Sequence, residues 1–127
     1  MQFNFHIILL SFFLFLAGCG KDDKQNSFSA NSPEAKGLDI FTRMACNACH
    51  SVDGSLKLGP TIKSQYGKNI RHTNGSVVII DDQYIRESLV DPLKHIAEGY
   101  TPIMPSYKPV LKDEDIENLI AYIKALK

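Results

Sequence analysis

The segment Cys46-Asn47-Ala48-Cys49-His50 holds the most specific chemistry in the chain: two thiols separated by two residues, with an imidazole immediately after. That spacing is the attachment sequence for haem c. Two thiols on one helical turn can each add to one vinyl group, and the following histidine presents its ring to the iron. Other chemistries use overlapping residues. A thiol–disulfide redox pair would follow a buried strand in a βαβ unit, whereas Gly37 to Ala45 reads as a helix with Leu38, Phe41 and Ala45 along one face. Structural zinc needs two further ligands to complete a tetrahedron, and only His6, His72 and His95 remain beside His50. Covalent haem is the chemistry this spacing favours.

A haem held by His50 on one side needs a second axial ligand from a distant segment, and Met44, Met104, His72 and His95 are the candidates. Met44 sits too near the attachment turn to reach the other haem face, and fits better as helix filler. Met104 lies in Gly99-Tyr100-Thr101-Pro102-Ile103-Met104-Pro105, where two prolines fix an extended path able to hold a thioether against a metal. His72 falls in the polar run Arg71-His72-Thr73-Asn74-Gly75 and His95 follows Pro92-Leu93-Lys94, so both are expected to be solvated. Met104 is therefore the expected distal ligand. Tyr66, Tyr100 and Tyr107 are candidates to hydrogen-bond a haem propionate.

The third cysteine, Cys19, needs its own explanation, because an odd count with one tight pair is no disulfide framework. Residues Phe3 to Leu16 are almost wholly apolar and end in Ala17-Gly18-Cys19, the hydrophobic part of a secretory signal. Leu16-Ala17-Gly18-Cys19 resembles the lipobox of bacterial lipoproteins, which implies diacylglycerol on the Cys19 sulfur. The expectation is a signal peptide over 1–18, a lipidated cysteine and flexible linker over 19–35, and a folded domain over 36–127 in the bacterial cell envelope, facing the periplasm or exterior. An uncleaved transmembrane helix would want about 20 apolar residues, more than this run supplies. Gly20 to Ala35 contains one large apolar residue, so it reads as a coil with a reach of roughly 20–24 Å.

Lysine plus arginine and aspartate plus glutamate number 14 each, so no overall charge argues for nucleic acid. Charge is nonetheless uneven along the chain. Lys57, Lys63, Lys68 and Arg71 have no acid among them, while Asp81, Asp82, Glu87 and Asp91 follow; the basic stretch would steer an acidic partner, or is simply a solvated face.

Several elements must position these residues. A first helix is expected from Pro33 or Glu34 through Cys49, with Ser32 as N-cap and Pro33 at its first position. Val77-Val78-Ile79-Ile80 after Asn74-Gly75 predicts a short hairpin strand. Asp82 to Val90 predicts a middle helix stopped by Pro92. The last helix is expected to start near Lys112-Asp113-Glu114-Asp115 and end near Lys124 to Lys127, with Ile116, Leu119, Ile120 and Ile123 as its apolar stripe. The fold class is all-α with a short β-hairpin insertion.

Taken together, Gly37-x-x-x-Phe41, Cys46-x-x-Cys49-His50, Gly59-Pro60, Met104-Pro105 and Leu119-Ile120-Ala121-Tyr122-Ile123 resemble the class I cytochromes c. Asp82-Gln83-Tyr84-Ile85-Arg86-Glu87-Ser88-Leu89, then Asp91-Pro92 and Gly99-Tyr100, are similar to the cytochrome c domain fused to subunit II of some bacterial cytochrome c oxidases. The resemblance covers about residues 36 to 127 and implies helices wrapped around one haem. It implies thioethers at Cys46 and Cys49, axial ligation by His50 and Met104, and a Pro60 carbonyl accepting from the outer nitrogen of His50. It further implies that Gly37 and Phe41 pack on Leu119 and Tyr122. The fused domain follows a copper-binding domain and membrane helices, whereas this sequence is expected to stand alone on a lipid tether.

The expected function is a membrane-tethered monohaem electron carrier in a respiratory chain, with respiratory redox proteins as partners, a terminal oxidase among the candidates. Competing readings are a fixed haem c subunit of an oxidase or other complex, and a haem sensor or peroxidase, which needs an open distal position. Residue types for independent catalysis are absent beyond the haem, so an electron carrier is expected in place of an enzyme.

Overall fold

A computed structural model describes residues 28–127, and the readings on the signal segment, Cys19 and the first part of the linker lie outside the described residues. Chain order is α1 (Pro33–Arg43), α2 (Cys46–Cys49), β1 (Asn69–Arg71), β2 (Val77–Ile79), α3 (Asp82–Val90), a 3-10 turn (Pro92–Lys94) and α4 (Asp113–Ala125). Among the described residues no helix is long and apolar enough to cross a membrane.

Local chemistry accounts for where the helices begin. Ser32 Oγ accepts from the Ala35 amide at 3.2 Å while Pro33 opens α1, and Asp81 Oδ1 accepts from the Tyr84 amide at 2.8 Å. Each satisfies an amide that helix geometry leaves without a partner. At α4 the Lys112 amide donates to the Asp115 carboxylate at 2.9 Å, and Asp113, Glu114 and Asp115 place negative charge on the positive end of the helix.

Terminal helices α1 and α4 make the principal helix pair. Gly37 is the contact point: a Cβ built there would lie 2.0 Å from the Asn118 carbonyl oxygen and 2.6 Å from Tyr122 Cβ. Only a residue without a side chain lets the two backbones approach this closely. Ile40 and Phe41 of α1 meet Ile116, Leu119, Ile120 and Tyr122 of α4 in one buried cluster, joined by Ile85 and Leu89 of α3. The Phe41 and Tyr122 rings lie 5.4 Å apart.

Three expectations need correction. The first helix does not run to Cys49: it ends at Arg43, and Ala45 takes left-handed backbone, φ 54°, before α2 starts afresh. The linker does not extend to residue 35, since α1 begins at Pro33 and Phe28 already packs edge-on against Tyr122 at 5.9 Å. An aromatic with a deep partner orders the chain before the helix. Third, His72 is 3% exposed and His95 is largely covered, so neither is solvated. A backbone bridge between His72 and Ala97 draws the hairpin end against the segment after the 3-10 turn and closes both rings in.

The hairpin pairs Asn69 with Ile79, Ile70 with Val78 and Arg71 with Val77, antiparallel as the Asn74-Gly75 turn requires. Gly75 has φ 82°, which glycine adopts without strain.

Candidate haem site

The break at Ala45 is what aims the thiols. Left-handed backbone at a residue with a Cβ is disfavoured by roughly 1–2 kcal/mol, and it starts a new helical turn that carries Cys46 and Cys49 onto the wall of an apolar cleft. Both cysteines are free and half-buried. Burial raises the Cys46 thiol above its ordinary range, partly offset by hydrogen bonds from its own backbone and from Tyr107.

After α2 the chain folds back over His50. The Gly59 amide donates to the Cys49 carbonyl at 2.8 Å and the Ile62 amide to the Ser51 carbonyl at 2.9 Å. Buried Ser51 donates its hydroxyl to the Ser55 carbonyl at 2.6 Å, and Thr61 donates to the Ser51 carbonyl at 3.1 Å. Gly59 passes flat across the imidazole: a Cβ there would sit 2.6 Å from His50 Cε1. The loop thereby delivers the Pro60 carbonyl to His50 Nδ1, which donates to it at 2.7 Å. With Nδ1 carrying the hydrogen, Nε2 keeps its lone pair for a metal.

Met104, held between Ile103 and Pro105, lines the same cleft as Cys46, Cys49 and His50. Met44 packs on the core and does not line the cleft, as a filler would. Leu58, Ile62, Leu89 and Ile103 all line it, as does Tyr100. The expectation for Tyr66 changes, because Tyr66 does not line the cleft and its hydroxyl donates to Asp82 at 2.6 Å. Tyr107 lines the cleft, beside Cys46, and its hydroxyl donates to the Met44 carbonyl over a long 3.5 Å.

The arrangement fits a large, flat, apolar group with one metal at its centre. Leu58, Leu93 and Ile103 are 63, 63 and 54% exposed along the cleft, an amount of accessible apolar surface that a buried ring system would cover favourably. A bare imidazole nitrogen and a thioether are ligands suited to haem iron. Zinc fits poorly, since among the described residues no three histidine, cysteine or acidic side chains gather to hold an ion.

Two features of this region carry no sequence signal. His95 lines the cleft with its Nε2 hydrogen-bonded to Glu87 at 2.7 Å, and His72 and Tyr84 complete an aromatic cluster with it. Glu87 lies one element earlier across Pro92, a pairing that periodicity does not reveal.

The cytochrome c family matches this chain over residues 34–127. One relative, the cytochrome c oxidase subunit 2 of Alkalihalophilus pseudofirmus, is 28% identical over 92 residues, which is 72% of this chain. The match spans 25% of that relative's own length.

Proposed function

Because the chain belongs to the cytochrome c family, it is an electron-transfer protein with covalently bound haem c, and from that premise we propose a membrane-tethered carrier of single electrons in a respiratory chain. When bound, the haem supplies one-electron chemistry, its iron alternating between ferrous and ferric. Cys46 and Cys49 would hold it by thioethers, His50 Nε2 and the Met104 thioether would ligate its iron, and Cys19 would carry the lipid in the cell envelope.

The observation that carries this reading is the pairing of His50 and Met104 in one apolar cleft, with the outer nitrogen of His50 tied to the Pro60 carbonyl. That bond fixes the ring and raises its basicity as a ligand. Bound to that iron, the Met104 thioether would keep small molecules off it, which suits electron transfer and opposes a sensor or peroxidase. Apolar walls exclude water and, with methionine ligation, favour the reduced state.

A second reading is favoured by the oxidase subunit among the relatives: a fixed haem c subunit of a respiratory oxidase. Purification in constant ratio with such a complex through gel filtration would select it over the mobile carrier.

Visible spectra of the chain matured in a host that attaches haem c, beside Met104→Ala, test the site. Sharp reduced bands and a methionine–iron charge-transfer band are expected in the native chain, with that band lost in the variant. A native chain without covalent haem would sink the assignment.

A further inference from the structure

Met104 lies in the middle of a segment with few anchors. Upstream, the Thr73 amide donates to the Ile96 carbonyl and the Glu98 amide to the Arg71 carbonyl, both at 2.9 Å, so the hairpin end holds residues 96–98. From there to Pro105 the main chain bonds only within itself, the Tyr100 amide to the Ala97 carbonyl at 3.1 Å and the Ile103 amide to the Thr101 carbonyl at 2.9 Å. Among the described residues neither the amide nor the carbonyl of Met104 has a hydrogen-bond partner. Downstream the chain is tied at once: the Ser106 hydroxyl donates to the Val90 carbonyl at 2.7 Å, and the Tyr107 amide to the Leu89 carbonyl at 2.8 Å.

The acceptors explain the tie. Leu89 and Val90 close α3, and the last carbonyls of a helix have no donor of their own. Pro92 brings no N–H, and the backbone leaves helical geometry at Asp91 with φ −140° and ψ 69°. Carbonyls stranded in this way need donors from elsewhere, and here the two residues just past Met104-Pro105 supply them. Ser106 Oγ also accepts from the Lys108 amide at 3.3 Å, which leaves its own hydrogen for Val90. Pro105, with φ fixed by its ring, is a stiff spacer between this tie and Met104. The Met104 side chain itself packs on the core and lines the cleft.

We propose that Ser106 is a positioning residue for the Met104 ligand: its hydroxyl, with the Tyr107 amide, docks the ligand loop on the end of α3 and sets how firmly the thioether is held in the cleft. The inference rests on the haem carrier reading, in which Met104 is the distal ligand. Ser106 acts through the backbone, two residues from the thioether. Without its hydroxyl, the Tyr107 amide is the one hydrogen bond left between the loop and α3 among the described residues, and withdrawing Met104 becomes easier. A base added from solution competes with Met104 for the iron, so its affinity reports that ease.

Imidazole titration of the ferric haem-loaded chain, followed by loss of the methionine–iron charge-transfer band, tests this beside Ser106→Ala, Ser106→Thr and Thr42→Ala. Thr42 makes a bond of the same kind, from Oγ1 to the Leu38 carbonyl at 2.9 Å, and does not line the cleft. Imidazole is expected to bind Ser106→Ala about fivefold more tightly, with Ser106→Thr and Thr42→Ala close to the native chain. A residue that only stabilised the fold would shift the urea midpoint and leave imidazole affinity where it was. Hydrogen exchange adds a second readout: the Tyr107 amide is expected to be protected in the native chain and to exchange several-fold faster in Ser106→Ala. Unchanged imidazole affinity in Ser106→Ala, equal tightening in Ser106→Thr or Thr42→Ala, or an unchanged Tyr107 amide would overturn the proposal. A native haem-loaded chain without the charge-transfer band would instead sink the reading of Met104 as a ligand, and this inference with it.

Discussion

Single atoms decide the state of the candidate site. A Cβ at Gly59 would lie 2.6 Å from the His50 ring, so Gly59→Ala must move either the ring or the Pro60 carbonyl. Overpacking of this kind typically costs 1–3 kcal/mol; a lower thermal midpoint is expected and, because a weakened His50–Pro60 bond leaves the imidazole a less basic ligand, a higher haem potential, read by calorimetry and redox titration. Glu87 makes a pH prediction. Lys94, Gln83 and His95 hold its carboxyl down to about 2 from an ordinary 4.5. A depressed carboxylate stabilises the fold above its unfolded pKa and loses that contribution as pH falls through the folded value. Urea unfolding should therefore show stability declining from about pH 4.5 toward 2, with a shallower decline in Glu87→Gln. Residue chemistry was largely legible from the sequence where it was local: the cysteines, His50 and the prolines around Met104 declare themselves by spacing. His72 and His95 did not, because their burial comes from a contact between the hairpin and the segment following the 3-10 turn.

At the scale of elements, helix starts were legible and one helix end was not. Asp81 and Pro92 bracket α3 by capping and by exclusion, and both act within a few residues. Nothing local ends α1, since Met44 and Ala45 are good helix formers. Ala45 is left-handed all the same, so the packing of α2 beside the cleft overrides propensity there. The α1–α4 contact makes its own prediction. Gly37→Ala would place a methyl 2.0 Å from the Asn118 carbonyl, and backbone cannot yield as a flexible side chain does. A loss of about 1–3 kcal/mol or more is expected, measured by denaturant unfolding of the haem-loaded chain, with the visible spectrum retained where the cleft survives.

Across the whole molecule, the zero net charge hides local imbalance. Arg71 is paired with Glu98, Asp82 with Lys124 and Glu87 with Lys94, whereas among the described residues Lys57, Lys63 and Lys68 form no salt bridge, Lys57 only adding to the Ser55 hydrogen bonds that lower the exposed Asp53 carboxyl from its ordinary value. The basic stretch thus narrows to three lysines. Lys57 also donates to the Asn47 carbonyl, inside the attachment turn itself. If these amines steer a partner, raised salt slows electron transfer, and Lys57→Glu lowers the second-order rate by roughly tenfold at low ionic strength, as stopped flow would record. Rates indifferent to salt would rule steering out. The ring of Phe28 on Tyr122 sets a further limit at this scale. Were Cys19 to carry lipid as proposed, the nine-residue step from it to that ring would span at most about 30 Å. The domain would then be secured at its α1–α4 side on a short leash, and its search for partners would become a patrol of the membrane surface, confined to docking faces that rise little higher than the leash is long.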